Sequence, residues 1–187
     1  MSKGKLFVIS GASGVGKSTV LKQVMAARED LRFSVSATTR KPRPGEVDGE
    51  SYYFVTKACF EEMIAKDAFV EYDAHMDNYY GTPSAQLEEK LCRGSVILDI
   101  EPNGAFAVRK KRPDATLIFV APPSVEELER RLRSRGDTSD EQILLRLNRA
   151  QWEMEQSKQY DYIVVNDQVD TCANTILQII AKTCGEN

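Results

Sequence analysis

Histidine is almost missing, His75 being the only one, and the four cysteines, Cys59, Cys92, Cys172 and Cys184, are widely separated with no CxxC pair. That leaves neither the ligand spacing of a zinc site nor a disulfide framework, and it points to the reduced thiols of a cytoplasmic protein. Surplus basic charge is lacking too. With 25 Lys and Arg against 28 Asp and Glu the formal net charge is -3, whereas a general nucleic-acid binder needs clustered basic surface to displace counterions. No nucleic-acid partner is expected, and any local basic cluster needs a local cause. Nor is there a long apolar run near the start: the one in MSKGKLFVIS stops at Gly11, too short for a signal-peptide core or a membrane span. A cytoplasmic chain without a membrane partner is the expectation. The sequence contains no low-complexity linker and no internal repeat.

What is present is a chain of 187 residues, 42% hydrophobic and 28% charged, which is enough apolar material to bury the core of one domain. Short β-rich runs alternate with helical patterns, which predicts an α/β fold whose parallel sheet is covered by helices. Residues 5–10 (KLFVIS), 95–100 (SVILDI), 116–120 (TLIFV) and 162–165 (YIVV) are apolar and largely β-branched or aromatic, as fully buried central strands are. Thr82 before Pro83 reads as the start of a helix, and Gly94 as its stop. Ser124 with Glu127 and Ser139 with Gln142 read as capping boxes, the second opening a helix whose Ile143, Leu147, Ala150 and Met154 share one face. The stretch 34–80 breaks the alternation. Short candidate strands at 33–37, 52–54 and 69–72 surround one helix near 60–66, which predicts a small insertion with its own β structure.

The strongest motif follows the first apolar run. GASGVGKST (Gly11, Ala12, Ser13, Gly14, Val15, Gly16, Lys17, Ser18 and Thr19) fits GxxxxGK[ST], with an apolar strand before it and a helix-compatible run after it. Its glycines let successive N–H groups point inward as an anion nest at a helix N-terminus. Lys17 then reaches the β- and γ-phosphates of a nucleoside triphosphate, and Ser18 offers a hydroxyl to Mg²⁺, a hard cation that prefers oxygen ligands. The plain alternative, a glycine-rich turn that merely opens a helix, does not account for the lysine and serine in register.

A second stretch, SVSATTRKPRPGEVDGESYYF (residues 34–54), places Arg40 and Arg43 on a loop stiffened by Pro42 and Pro44. Arginines held in place suit a phosphate monoester, whose oxygens accept paired guanidinium hydrogen bonds. A solvated charged loop with packed tyrosines is the bland alternative, and the phosphate loop tips the balance toward a second phosphate.

GASGVGKST, SVSATTRKPRPGEVDGESYYF, FVEYDAHMDNYYGTP, ILDIEPNG, LERRLRSRG and VVND, in this order and spacing over nearly the whole chain, resemble guanylate kinase, of the nucleoside monophosphate kinase group. The resemblance implies a P-loop three-layer α/β/α fold in one domain, residues 1–187. Within it, a core with a parallel central sheet takes 1–33, 81–125 and 160–187, an inserted GMP-binding lobe of mixed β structure takes 34–80, and a helical lid takes about 126–159. ATP and GMP are the implied substrates and Mg²⁺ the implied cofactor, with ADP and GDP formed in purine nucleotide metabolism.

The same resemblance distributes roles over the residues. Arg40, Arg43, Tyr53 and Tyr80 are assigned to the acceptor phosphate. Glu71 is assigned to guanine, whose N1–H and exocyclic amine are adjacent donors that one carboxylate takes together, with Ser36 and Thr82 on the O6 side. Adenine lacks that donor pair. Asp99 and Glu101 face the acceptor base or the waters of the metal, and alternation along their strand puts them on one side. Lys17 and the lid arginines Arg131, Arg135 and Arg146 are assigned to the transferring phosphoryl group, and Asn166 to adenine. No catalytic base is expected, because phosphoryl transfer needs positioning and electrostatic stabilisation. The chain departs from the family pattern at Glu101 and Asn103, where Asp and Gln are usual, and at Ala12, where proline is common. Two other functions compete: a non-catalytic guanylate-kinase-like interaction module, and a kinase for another phosphorylated acceptor. The intact loop from Gly11 to Ser18 opposes the first, and Glu71 with Ser36 and Thr82 opposes the second.

Overall fold

Residues 4–75, 77–134 and 139–186 are described by a computed structural model. The chain runs through β1 (Leu6–Gly11), α1 (Lys17–Ala27), β2 (Leu31–Phe33), β3 (Ala37–Thr38), β4 (Tyr53–Phe54), α2 (Lys57–Ala65), β5 (Phe69–His75) and β6 (Asn78–Pro83). It continues through α3 (Ser84–Leu91), β7 (Ser95–Asp99), α4 (Pro102–Lys111), β8 (Thr116–Ala121), α5 (Val125–Ser134), α6 (Asp140–Gln156), β9 (Tyr162–Val165) and α7 (Val169–Cys184). Among the described residues no helix is long and apolar enough to cross a membrane.

Five strands form the main sheet in the order β2-β7-β1-β8-β9, with every neighbouring pair parallel. β1, β7 and β8 lie inside it and are buried along almost their whole length, so they are continuous apolar runs rather than alternating ones. Crossovers between parallel strands are right-handed. α1 leads from β1 toward β2 and α4 leads from β7 the other way to β8, which puts these helices on opposite faces of the sheet. α7 packs beside α1, and α4 packs against β1. Because the strands are parallel, their C-terminal ends share one edge of the sheet. The turns that begin after Gly11, Asp99, Ala121 and Val165 meet there, the place where open parallel sheets form ligand crevices.

A second sheet, β4-β3-β6-β5, joins one parallel pair to two antiparallel ones. Its own small core is Ala37, Phe60 and Phe69, where the Phe60 ring stacks on Phe69 at 4.3 Å and on Tyr79 at 5.2 Å between centroids. Three buried residues make a thin core, and packing of α4 on β5 supplies a further hold on the main body.

The structure corrects several sequence-based expectations. β9 is an edge strand rather than a central one: Ile163 and Val165 are 52% and 50% exposed. An apolar run has the same spelling at an edge as in the middle. The single strand expected at 33–37 is two strands in different sheets, since Phe33 ends β2 in the main sheet and Ala37 opens β3 in the second. Thr82 does not cap a helix. It lies in β6, paired with Glu71 of β5, and Pro83 is the N-cap residue of α3. Pro83 ends the strand, where its missing N–H costs little. α3 stops at Leu91, before Gly94. Among the described residues only the forward half of each capping box is seen: Ser124 and Ser139 accept the amides of Glu127 and Gln142 at 3.1 and 3.4 Å. The Glu127 carboxylate turns to Arg130 and Arg131 instead.

Candidate functional site

The loop after β1 turns through Gly14 and Gly16, whose φ angles of 85° and 92° lie in the left-handed region. α1 starts at Lys17, directly after Gly16 and without a side-chain cap. The Ala12 amide is used by Val120 O at 3.2 Å and the Val15 amide by Ala12 O at 3.0 Å, so these two shape the loop. Among the described residues the amides of Gly14, Gly16, Lys17 and Ser18 make no backbone hydrogen bond. Unpaired amides at a helix start form an anion cradle. Lys17 Nζ lies 2.5 Å from Asp99 Oδ1, at the end of β7, and Ser18 and Thr19 are exposed beyond it. Asn166 follows β9, is 2% exposed and donates through Nδ2 to Val15 O at 2.8 Å. Its Oδ1 is buried without a partner among the described residues.

Two cavities flank this loop. The first, of about 250 Å³, is lined by Ser36, Tyr52, Glu71, Asp73, Tyr80, Asp99, Glu101 and Gly104 among others. Ser36 and Asp99 also border an adjoining space that reaches Thr82. The second, of about 350 Å³, is lined by Gly14, Gly16, Thr19, Arg131, Asn166 and Val169 with their neighbours. The Lys17–Asp99 pair links the two, since Lys17 belongs to the loop bordering the second cavity and Asp99 to the wall of the first.

Glu71 is the buried acid of the first cavity, 7% exposed. Its Oε1 accepts the Thr82 hydroxyl at 2.6 Å across the β5–β6 pair. Burial pushes its carboxyl above the usual range, and the Thr82 hydrogen bonds only partly oppose that. The first turn of α4 closes on it from the other side. A Cβ on Gly104 would stand 3.0 Å from Glu71 Oε2 and 3.3 Å from Ile100 Cδ1. Gly104→Ala is therefore expected to displace a carboxylate that Thr82 holds fixed. Isothermal titration with whichever nucleoside monophosphate the wild-type protein binds should show about three- to tenfold weaker binding, while binding of a nucleoside triphosphate analogue stays unchanged.

The arginine loop is held internally. Arg40 donates to Glu46 Oε1 at 2.8 Å, and Glu46 Oε2 accepts the Arg43 amide at 2.8 Å, so one carboxylate ties both ends of the turn. That Arg40 bond holds the Glu46 carboxyl below the usual range. Arg40 also lies over the Tyr52 ring, 5.4 Å from its centroid. Tyr80 lines the first cavity but Tyr53 does not: it packs into the small core of the second sheet, and Tyr52 faces the cavity in its place. Successive strand residues point to opposite faces, so a YY pair cannot put both rings on one side. Arg43 is exposed on its loop.

The arginines of α5 and α6 are dispersed. Arg131 donates to Glu127 Oε1 at 2.7 Å and to the carbonyls of Asn166 and Asp167 at 2.8 and 3.3 Å, at the wall of the second cavity. Arg146 is exposed on α6 with no ion pair among the described residues. Arg135 lies outside the described residues. Asn103 is exposed. Glu46, Tyr52, Asp73, Arg149 and Glu153 come to the site without having been singled out in the sequence. Glu153 is 3% exposed on α6, and its position beside Ala150 and Met154 on the apolar face was the available signal.

The family model for guanylate kinase matches residues 3–183. The guanylate kinase of Thermus thermophilus is 48% identical over 179 residues, which is 95% of this chain and 81% of that protein. The guanylate kinase of Prochlorococcus marinus is 44% identical over 177 residues, 94% of this chain and 96% of its own. Among solved structures, the crystal structure of guanylate kinase from Anaplasma phagocytophilum superposes with a TM-score of 0.75 at 33% identity, covering 97% of this chain and 86% of the other.

Proposed function

This chain belongs to the guanylate kinase family, and from that premise we propose that it transfers the γ-phosphoryl group of ATP, carried with Mg²⁺, to GMP, giving ADP and GDP. It is a nucleoside monophosphate kinase, an ATP:GMP phosphotransferase. The observation that carries the guanine reading is Glu71: a buried carboxylate fixed by the Thr82 hydroxyl, in a cavity joined to the phosphate loop through Asp99 and Lys17. A buried, oriented acceptor of this kind matches the N1–H and amine edge of guanine and finds no such pair on adenine.

In this reading the unpaired amides of Gly14, Gly16, Lys17 and Ser18 receive the ATP phosphates, and the Lys17 ammonium moves between Asp99 and the γ-phosphate. Among the described residues no group of three or more His, Cys, Asp and Glu could hold a metal ion, so the donor set fits Mg²⁺ that arrives on the triphosphate, with the Ser18 hydroxyl as the protein's ligand. When bound, Mg²⁺ neutralises charge on the phosphates. Asn166 and Arg131, at the second cavity, meet the donor nucleotide. Arg40 exchanges Glu46 for the acceptor phosphate, with Arg43, Tyr80 and Tyr52 beside it. Residues 34–80 then act as a lobe and about 126–159 as a lid on the core at 1–33, 81–125 and 160–187. Closure of both brings Arg146 toward the transferring group and excludes water. The enzyme works in purine nucleotide metabolism in the cytoplasm, which suits its four free cysteines.

A coupled assay with ATP and each of GMP, AMP, UMP and CMP tests the reading. GMP is expected to exceed every other acceptor in kcat/KM by about a hundredfold or more, the discrimination of a site that leaves a buried charge unpaired for the wrong base. Comparable turnover of AMP rejects it, and so does the lack of turnover expected of an interaction module.

A further inference from the structure

One guanidinium on α6 touches both halves of the site. Glu153 Oε2 accepts the Ser13 amide of the phosphate loop at 2.7 Å. Its Oε1 accepts Arg149 Nε at 3.2 Å, one helical turn earlier. In the other direction the same guanidinium donates to Glu101 Oε2. Glu101 is the N-cap residue of α4 and lines the first cavity. Ser13, Glu153, Arg149 and Glu101 thus make an unbroken polar line from the donor loop to the rim of the acceptor cavity.

Each link depends on the residue type that makes it. A planar guanidinium serves two carboxylates at once, whereas an ammonium is a single point of charge. Burial pushes the Glu153 carboxyl up, and only the Ser13 amide and Arg149 work against that, so the carboxylate depends on these partners to stay charged. Side-chain length matters at the far end. Glu101 stands where the sequence resemblance makes aspartate usual, and its extra methylene carries the carboxylate toward α6. Its other oxygen, Oε1, has no hydrogen bond among the described residues and remains for a base donor at the cavity.

We propose that Arg149 is a positioning residue for acceptor binding: it orients the Glu101 carboxylate at the cavity rim and, through Glu153, registers that carboxylate against the phosphate loop. The proposal rests on the reading that the first cavity takes the monophosphate acceptor. Without Arg149, Glu101 is a long, half-solvated side chain that must be ordered when the acceptor binds. That ordering cost falls on acceptor affinity.

Steady-state kinetics of Arg149→Ala, Glu101→Asp and the double variant test it, with KM measured for ATP and for whichever monophosphate the wild-type protein turns over fastest. A wrong acceptor shows in the wild-type panel, and a failed coupling only in the variants. Arg149→Ala is expected to raise the acceptor KM about tenfold. Glu101→Asp, which keeps the charge and leaves the Arg149–Glu153–Ser13 contacts in place, is expected to raise it at least about threefold with the ATP KM unchanged. The double variant stays at about tenfold, because both changes break one bridge. A merely structural arginine predicts different results: an unchanged acceptor KM in Glu101→Asp, a parallel rise in the ATP KM, or effects that multiply to about thirtyfold in the double variant. Any of these overturns the proposal.

Discussion

Lys17→Ala is expected to lower kcat by about a thousandfold while the protein still folds. Removing one preorganised donor from a site where charge develops costs about 10² to 10³ in rate, and a full cation aimed at the transferring phosphoryl group belongs at the upper end. The loop itself does not need the side chain. Its path is set by Gly14 and Gly16 at positive φ, by the Ala12–Val120 bond and by the Glu153–Ser13 bond. What the variant loses in the folded state is the Lys17–Asp99 pair, whose side chains are 20% and 35% exposed. A partly solvated pair contributes about 0 to 1 kcal/mol, so Tm moves by no more than about 4 °C. Single-turnover rates and a thermal melt check both halves. A rate within tenfold of wild type shows that Lys17 does not act on the transferred group, and a collapse of Tm shows that it is a structural cation.

On the proposed reading, Glu71→Gln is expected to weaken GMP binding by between about thirtyfold and about a thousandfold and to leave ATP binding unchanged. Glutamine keeps an oxygen for the Thr82 hydroxyl but turns an NH₂ toward one of the two guanine donors, so a charge-assisted bond is lost and a buried donor is stranded. Together these cost about 2 to 4 kcal/mol. The effect on stability has the opposite sign. Burial raises the Glu71 carboxyl above its ordinary 4.5 in the folded protein. A group raised in this way contributes its full stability below the unfolded value, and the contribution is lost as pH rises through the folded value. At neutral pH the raised carboxyl therefore costs stability that glutamine is expected to restore, so that Tm of the variant equals or exceeds that of wild type, the gap closing as pH falls toward 4.5. Wild-type GMP affinity also drops on acidification, starting at a higher pH than an ordinary carboxylate allows. Calorimetric titrations with GMP and with an ATP analogue, and melts from pH 4 to 8, check these outcomes. Equal weakening of both nucleotides, or a lower Tm at neutral pH, shows that Glu71 serves packing instead of base recognition.

The phosphate loop and the main sheet were legible because each is specified locally. GASGVGKST needs only its own glycines, a strand before it and a helix after it, and the runs around Val8, Leu98 and Phe119 are apolar because both faces of those strands are covered. The second sheet was harder to read. β6 sits inside DNYYGTP, where Gly81, Thr82 and Pro83 carry turn and helix-start signals, and only pairing with β3 and β5 makes the segment a strand. The resemblance assigns Tyr53 to the acceptor phosphate, whereas Tyr52 is the one that lines the first cavity, because the pleat sends Tyr52 and Tyr53 to opposite sides and nothing in YY says which is which.

By itself the sequence determined the class of fold, the anion cradle with its lysine, and the set of residue types able to meet two phosphates and a guanine, because those follow from periodicity, glycine conformational freedom and hydrogen-bonding inventory. The tertiary structure alone decided which of them stand together. It put Lys17 on Asp99, Thr82 on Glu71, Glu46 on Arg40, and Arg149 between Glu153 and Glu101. Lys17–Asp99 and Arg149–Glu101 span tens of residues and depend on where strands and helices meet, whereas Arg149–Glu153 is one helical turn along α6 and is the one contact that spacing along the chain already offers. A buried acid such as Glu153 is spelled like any helix-surface glutamate. Its burial and its bond to Ser13 arise only when α6 folds over the end of β1, where low polarity makes a single amide and one guanidinium its necessary partners.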